Sequence, residues 1–251
     1  MIASLPMYDR PANAAAHDDL WHLIRDNLRA AGIEAPDTLD RDIAPTTGWG
    51  RPDLVVGQIC NLPLRARFQT RVTVIGAADY GLDGCPAGYY KSVFVVRAGG
   101  DSDPAAYANA RFAANSLMSQ SGYGAPQDWA HSRGFQFAAP MITGAHDRSI
   151  AMVAAGRADI AAIDAQTWIM QSRESGLTDG LIAIADTATS PAMTFITRLG
   201  QDPAPYFTAI EAAISALGAP QRDILGLRGI IALPQHAYDL PMPPMPQTIQ
   251  A

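Results

Sequence analysis

Two short segments carry residue types that can hold an anion. The first is Asn115-Ser116-Leu117-Met118-Ser119-Gln120-Ser121-Gly122-Tyr123, and the second, later in the chain, is Thr143-Gly144-Ala145-His146. A short apolar run, 111–114, precedes the first segment and reads as a strand, and 123–131 can begin a helix. A strand that ends in hydroxyls and glycine at a helix start turns backbone N–H groups and the positive helix end toward a ligand. Ser hydroxyls add further donors. Ser and Gly also fill ordinary turns, so the pattern by itself does not separate an anion grip from a plain reversal.

The elements that must position these segments alternate between apolar runs and helical stretches, which argues an α/β fold. Strands are expected at 2–5, 53–58, 71–76, 92–97, 111–115, 158–164, 181–186 and 193–197. Residues 17–32 read as an amphipathic helix with Leu20, Ile24, Leu28 and Ala31 on one face, ended by Gly32. Further helices are expected at 103–110, 147–156, 165–173 and 204–217, the last ended by Gly218. The Pro- and Met-rich stretch 239–251 is expected to be an extended surface tail. Two α/β blocks joined by 92–97 and 193–197 suggest two lobes: residues 1–97 with 193–251, and an inserted lobe of 98–192. Ligands in open α/β sheets bind at the carboxyl ends of strands, and two lobes can close on one by hinge motion.

Composition removes several classes of function. The chain has 251 residues, 48% hydrophobic and 17% charged, enough for a packed core and unlike a disordered chain. A net charge of −6 with 18 scattered Lys and Arg argues against nucleic acid as a partner. No apolar run is long enough for a transmembrane segment. Cys60 and Cys85 lack zinc-ligand spacing, and no metal or cofactor is expected; they stand either as thiols or as one disulfide. Residues 1–6 have neither a basic segment nor a long apolar run, so they do not read as a secretory signal. The protein then either stays in the cytoplasm or depends on an export signal outside this sequence.

From about 53 to 197 the chain resembles the phosphate/phosphite/phosphonate-binding proteins of ABC importers. Residues 53–63, Asp-Leu-Val-Val-Gly-Gln-Ile-Cys-Asn-Leu-Pro, resemble the strand and turn that place a ligand-contacting side chain, here Gln58. Residues 84–96 are similar to the Gly-Tyr-x-Ser segment entering the first crossover strand, and Ser119-Gln120-Ser121-Gly122-Tyr123 to the family's Ser-Thr-Ser-Gly-aromatic turn. Gly144-Ala145-His146 and the run 156–164, Gly-Arg-Ala-Asp-Ile-Ala-Ala-Ile-Asp, follow in the family's order.

The resemblance implies a two-lobed, type 2 periplasmic-binding-protein-like fold with a double-strand hinge. It implies a non-catalytic solute-binding protein that captures a small oxyanion or organophosphonate in an interlobe cleft. An ABC permease would be its partner and the periplasm its place if the chain is exported. Ser119 and Ser121, with the amides of Gln120, Ser121 and Gly122, would grip the anion, and His146 would donate to it. Gln58, Tyr90 and Ser92 would add donors from the other lobe, and Tyr8 would wall the mouth. Tyr8 and Tyr90 are equally readable as packing residues and Ser92 as an ordinary strand hydroxyl. Asp164 either caps the helix after it or meets a cationic group on the ligand.

Two departures from the family pattern stand out. Gln120 replaces a hydroxyl residue in the middle of the turn, and Ser190-Pro-Ala-Met-Thr194 lacks the acidic residue that would meet a ligand ammonium, which argues against an aminoalkylphosphonate. The alternative is a cytosolic enzyme on the same fold, resembling thiamine-pyrimidine synthases or enzymes of the futalosine route to menaquinone. His146, Cys60 and Asp164 would then be its chemical candidates. A LysR-type effector domain would need a helix-turn-helix, which the sequence does not show.

Overall fold

Short apolar runs build two five-stranded sheets and one two-stranded ladder, with helices packed on the larger sheets. A computed structural model of the protein describes residues 1–174 and 176–246. The chain divides into two units, Met1–Tyr89 with Pro191–Asp239, and Tyr90–Ser190 with the segment that follows 239.

In chain order, the first unit begins with β1 (Ile2–Ser4), α1 (Ala14–Ala30), α2 (Pro45–Gly48), β2 (Leu54–Ile59), α3 (Asn61–Pro63) and β3 (Val72–Asp79). The chain leaves through β4 (Tyr89–Tyr90). The second unit holds β5 (Ser92–Arg97), β6 (Phe112–Ala114), α4 (Ala125–His131), β7 (Met141–Ile142), α5 (His146–Ala154), β8 (Ile160–Asp164), α6 (Ala165–Glu174) and β9 (Leu181–Asp186). It returns through β10 (Ser190–Pro191), which pairs with β4, to β11 (Thr194–Arg198), α7 (Pro203–Ala216), α8 (Ala219–Leu225) and β12 (Gly229–Ile231).

The first sheet runs β1-β2-β11-β3-β12, with β1 and β2 parallel and β11 antiparallel to both of its neighbours. Its core gathers Trp49, Leu54, Ile59, Phe68, Ile196 and Tyr238. Helix α1 buries Leu20, Ile24 and Leu28 as its period predicts and packs on α7, where Asn27 Nδ2 donates to the Ala209 carbonyl at 3.3 Å. Ala31 falls at the C-cap and is exposed, because the helix stops one residue before it.

The second sheet runs β7-β6-β8-β5-β9. Strands β6 and β8 are parallel, and β5 is antiparallel to β8 with Ser92 opposite Asp164. That register brings the carboxyl ends of β6 and β8 and the amino end of β5 to one edge, where open α/β sheets present ligand sites. A ring cluster of Phe94, Phe112, Phe137, Trp129 and Phe135 fills the core on one face. Phe112 and Phe137 stack at 5.0 Å between centroids.

Three expectations differ from the structure. Strand β5 lies wholly in the second sheet, hydrogen-bonded on both sides, so the chain changes unit at 89/90 and 190/191 rather than within 92–97 and 193–197. Residues 103–110 form only a 3-10 turn, Pro104–Tyr107, capped by Asp103, whose carboxylate accepts from the Ala105 amide at 2.9 Å. Residues 240–246 pack with the second unit instead of the first, although α8 and β12, which precede them and were not foreseen, lie in the first.

Candidate functional site

Strand β6 carries the chain to the edge of the second sheet, and the Ser-rich turn begins there. Residues Gln120–Gly124 form one turn of π-helix that runs directly into α4. Single π turns recur at functional sites because the wider turn re-aims backbone and side chains. Ser119 is its N-cap: its hydroxyl accepts from the Gly122 amide at 3.0 Å, and its carbonyl accepts from Tyr123 and Gly124 at 3.1 and 3.0 Å. Its hydroxyl thus satisfies one orphan donor of the helix start, and its carbonyl accepts the first bonds of the turn itself.

From Ser119 a chain of polar contacts leads outward. The Ser119 and Ser121 hydroxyls are 3.3 Å apart, and Ser121 Oγ lies 2.8 Å from His146 Nε2. His146 is the first residue of α5, so the Ser121 hydroxyl meets a side chain from that helix's first turn. The strand hydroxyl of Ser92 reaches the turn from behind, donating to the Ser121 carbonyl at 2.9 Å. The Ser92 amide in turn donates to Thr187 Oγ1 at 3.0 Å. Ser92, Ser119, Ser121 and Gln120 are all buried, which fixes these groups geometrically and makes each unmet bond costly.

The remaining predicted residues fall into two sets. Asp164 faces Ser92 across the β5–β8 ladder and is buried; its Oδ1 accepts from the Thr167 amide at 2.9 Å, the geometry of an N-cap on α6. Tyr90 is buried at the start of the second unit. The side chain of Gln120 lies along its own turn, with Oε1 3.0 Å from where a Cβ on Gly124 would stand. Tyr8 and Gln58 belong to the first unit, where they share a recess with Leu5, His17 and Tyr80. Its volume is only about 10 Å³, room for one water at most. Tyr8 meets Tyr80 edge-to-face at 5.1 Å between ring centroids.

Two residues of the site were given no role of their own by sequence reasoning. Asn115, which follows β6, places its Oδ1 where a Cβ on Gly122 would stand, and its carbonyl accepts from the Gly144 amide at 3.0 Å. It ties the two anion-type segments together; its position at the head of the Ser-rich run was the only clue. Thr187, which orients Ser92, lies 95 residues from it in sequence and left no signal. Thr143 anchors the second segment, its hydroxyl 2.7 Å from that of Ser149.

Among the described residues no group of His, Cys, Asp and Glu is arranged to hold a metal, and no helix is long and apolar enough to cross a membrane. Cys60 and Cys85 are both half-buried thiols.

The segments that carry these hydroxyls and the imidazole lie within a longer run that is matched elsewhere. Residues 56–233 match the family described as the phosphonate periplasmic substrate-binding protein of ABC transporters. The chain belongs to this family. No curated protein matches it in sequence.

Solved structures agree on the fold. PhnD1 of Prochlorococcus marinus, in complex with methylphosphonate, superposes with a TM-score of 0.70 at 20% identity, over 95% of this chain and 94% of that one. XAC2383 of Xanthomonas citri, bound to ATP, gives 0.68 at 14% identity, over 94% and 92%. A binding-protein component of an ABC phosphonate transporter from Pseudomonas aeruginosa gives 0.65 at 13% identity, over 94% and 82%. The periplasmic-binding-protein fold is therefore this family member's fold.

Proposed function

We propose that this family member captures a small tetrahedral oxyanion of the phosphate, phosphite or phosphonate class and presents it to an ABC permease after export. The observation that carries the reading is the Ser119–Ser121–His146 chain at the start of a helix. When His146 Nε2 holds the ring proton it donates to Ser121 Oγ, which frees the Ser121 hydroxyl proton for an anion oxygen. Ser119 Oγ, already accepting from Gly122, keeps its own proton to give. Donors fixed before the ligand arrives lose little entropy on binding, and charge-assisted bonds to an oxyanion are the strong ones.

The ligand side carries a second part of the proposal. Asp164 Oδ1 is engaged in the N-cap of α6 and 190–194 contains no acidic residue, so neither position favours a ligand ammonium. Alkylphosphonates or phosphite then fit better than aminoalkylphosphonates. A thermal-shift and calorimetry panel of phosphate, phosphite, methylphosphonate and 2-aminoethylphosphonate tests both parts. A bound ligand at a hundred times its dissociation constant stabilises by about 2.7 kcal/mol. At ~2–4 °C per kcal/mol for a chain of this size, that is a rise of about 5–10 °C. Absence of a shift with every anion refutes the reading, and a preference for 2-aminoethylphosphonate refutes its second part.

A further inference from the structure

The C-terminal segment leaves the first unit after the 3-10 turn Gln235–Tyr238 and, over 240–246, packs with the second. Four of these seven residues are proline, Leu240-Pro-Met-Pro-Pro-Met-Pro246. Such a stretch is stiff and extended before it docks, makes no internal backbone bonds, and keeps its carbonyls available as acceptors. One of them is used: the Tyr123 hydroxyl donates to the Pro244 carbonyl at 2.7 Å.

Tyr123 belongs to the Ser-rich turn. Its ring is buried, and its amide donates to the Ser119 carbonyl at 3.1 Å. It sits between Gly122 and Gly124, two residues with no side chain to hold the backbone in place. The ring of Tyr123 is therefore the anchor of this half of the turn, and the hydroxyl at its far end ties it to Pro244. Burial raises the phenol above its usual pKa, so it remains a donor through the neutral range.

We infer that Tyr123 is a positioning residue of the anion turn and that residues 240–246 are a strap that fixes it through the Pro244 carbonyl. This rests on the anion-binding reading of the same turn. The strap holds the ring, the ring holds the backbone at 123, and the bonds from 122, 123 and 124 to Ser119 carry that restraint to the Ser119 and Ser121 hydroxyls. The gain is pre-organisation: the turn need not be ordered by the ligand.

The test is a double-mutant cycle in the full-length chain. Tyr123→Phe removes the hydroxyl and keeps the ring; Pro243→Gly with Pro244→Gly keeps the carbonyls and loosens the tail. Calorimetry with methylphosphonate, phosphite and phosphate is expected to show each variant binding about fivefold more weakly, the worth of one hydrogen bond. Their combination should bind no more weakly than the poorer of the two, because both break one link; merely structural damage at two places would multiply. Unchanged affinity in both variants, or multiplied losses, overturns the strap. Amide hydrogen exchange at 122–124 in the unliganded protein is the second measurement, with faster exchange expected in both variants. If the wild type binds none of the three anions, the anion reading has failed, and exchange alone decides the strap: faster in both variants supports it, unchanged overturns it.

Discussion

Replacing Gly122 by alanine is expected to disturb the anion turn through space rather than backbone conformation. Gly122 is not among the glycines with positive φ, so an L side chain suits its backbone. The obstacle is Asn115: a Cβ at 122 would collide with Asn115 Oδ1 and stand 3.1 Å from its Cγ and 3.4 Å from its backbone nitrogen. The last contact is ordinary and the first is not, so the amide must swing away or the turn must shift. Overpacking of this kind costs about 1–3 kcal/mol. Each kcal/mol lowers the melting temperature by about 2–4 °C in a chain of this length. Asn115 Oδ1 is buried without a hydrogen-bond partner among the described residues, so trimming it sacrifices no bond at that atom. Asn115→Ala should therefore rescue Gly122→Ala, leaving the double variant more stable than the sum of the singles. Thermal melts of the four proteins, with methylphosphonate calorimetry on each, measure both consequences. If Gly122→Ala melts with the wild type and binds equally well, or Asn115→Ala gives no rescue, the packing argument is wrong.

Three further outcomes follow from other parts of the molecule. Arg111 binds Asp159 through Nε at 2.9 Å and a terminal nitrogen at 2.7 Å, with Arg97 at 3.3 Å, and these bonds hold the Asp159 carboxyl well below the usual carboxylate range. Asp159→Asn should cost about 1–3 kcal/mol in urea unfolding at pH 7. A depressed carboxylate stabilises fully above its unfolded pKa of about 3.9 and loses that contribution as the pH falls below it, so variant and wild type should converge in acid. Burial lowers the pKa of His17 against the opposing pull of Asp9, 3.9 Å away, with Arg41 and Asp18 also facing it. The neutral ring's contribution is present above about pH 6.5 and is lost as the pH drops, so His17→Gln should flatten the decline in melting temperature between neutral pH and pH 5. Asp164→Ala should lose about 0.5–2 kcal/mol with the N-cap of α6, whereas Asp164→Asn should keep most of it. Equal melts for the two variants would deny Asp164 its capping role.

Much of the fold was legible because it depends on local periodicity. The 3.6-residue spacing of Leu20, Ile24 and Leu28 and the β-branched run Ser92–Arg97 each announce their element without knowledge of neighbours. Residues 103–110 misled because Pro104 and the Asp103 cap start a helix convincingly, while nothing local says that it stops after one turn. The alanine-rich period of 204–217 was plain, yet α8 and β12 after it were not, since each is short and only its packing stabilises it.

By itself the sequence determined which residues could hold an anion and in which order they occur, since hydroxyls, glycines and an imidazole are properties of residue type. Their assembly was decided only in three dimensions. The β5–β8 register sets Ser92 opposite Asp164, the parallel β6–β8 pair delivers the turn to the same edge, and His146 arrives there as the first residue of α5. Pairings across 29 residues between Ser92 and Ser121, or 95 between Ser92 and Thr187, leave no trace in local pattern. They exist because a sheet aligns distant segments to within a hydrogen bond, which no spacing along the chain can express.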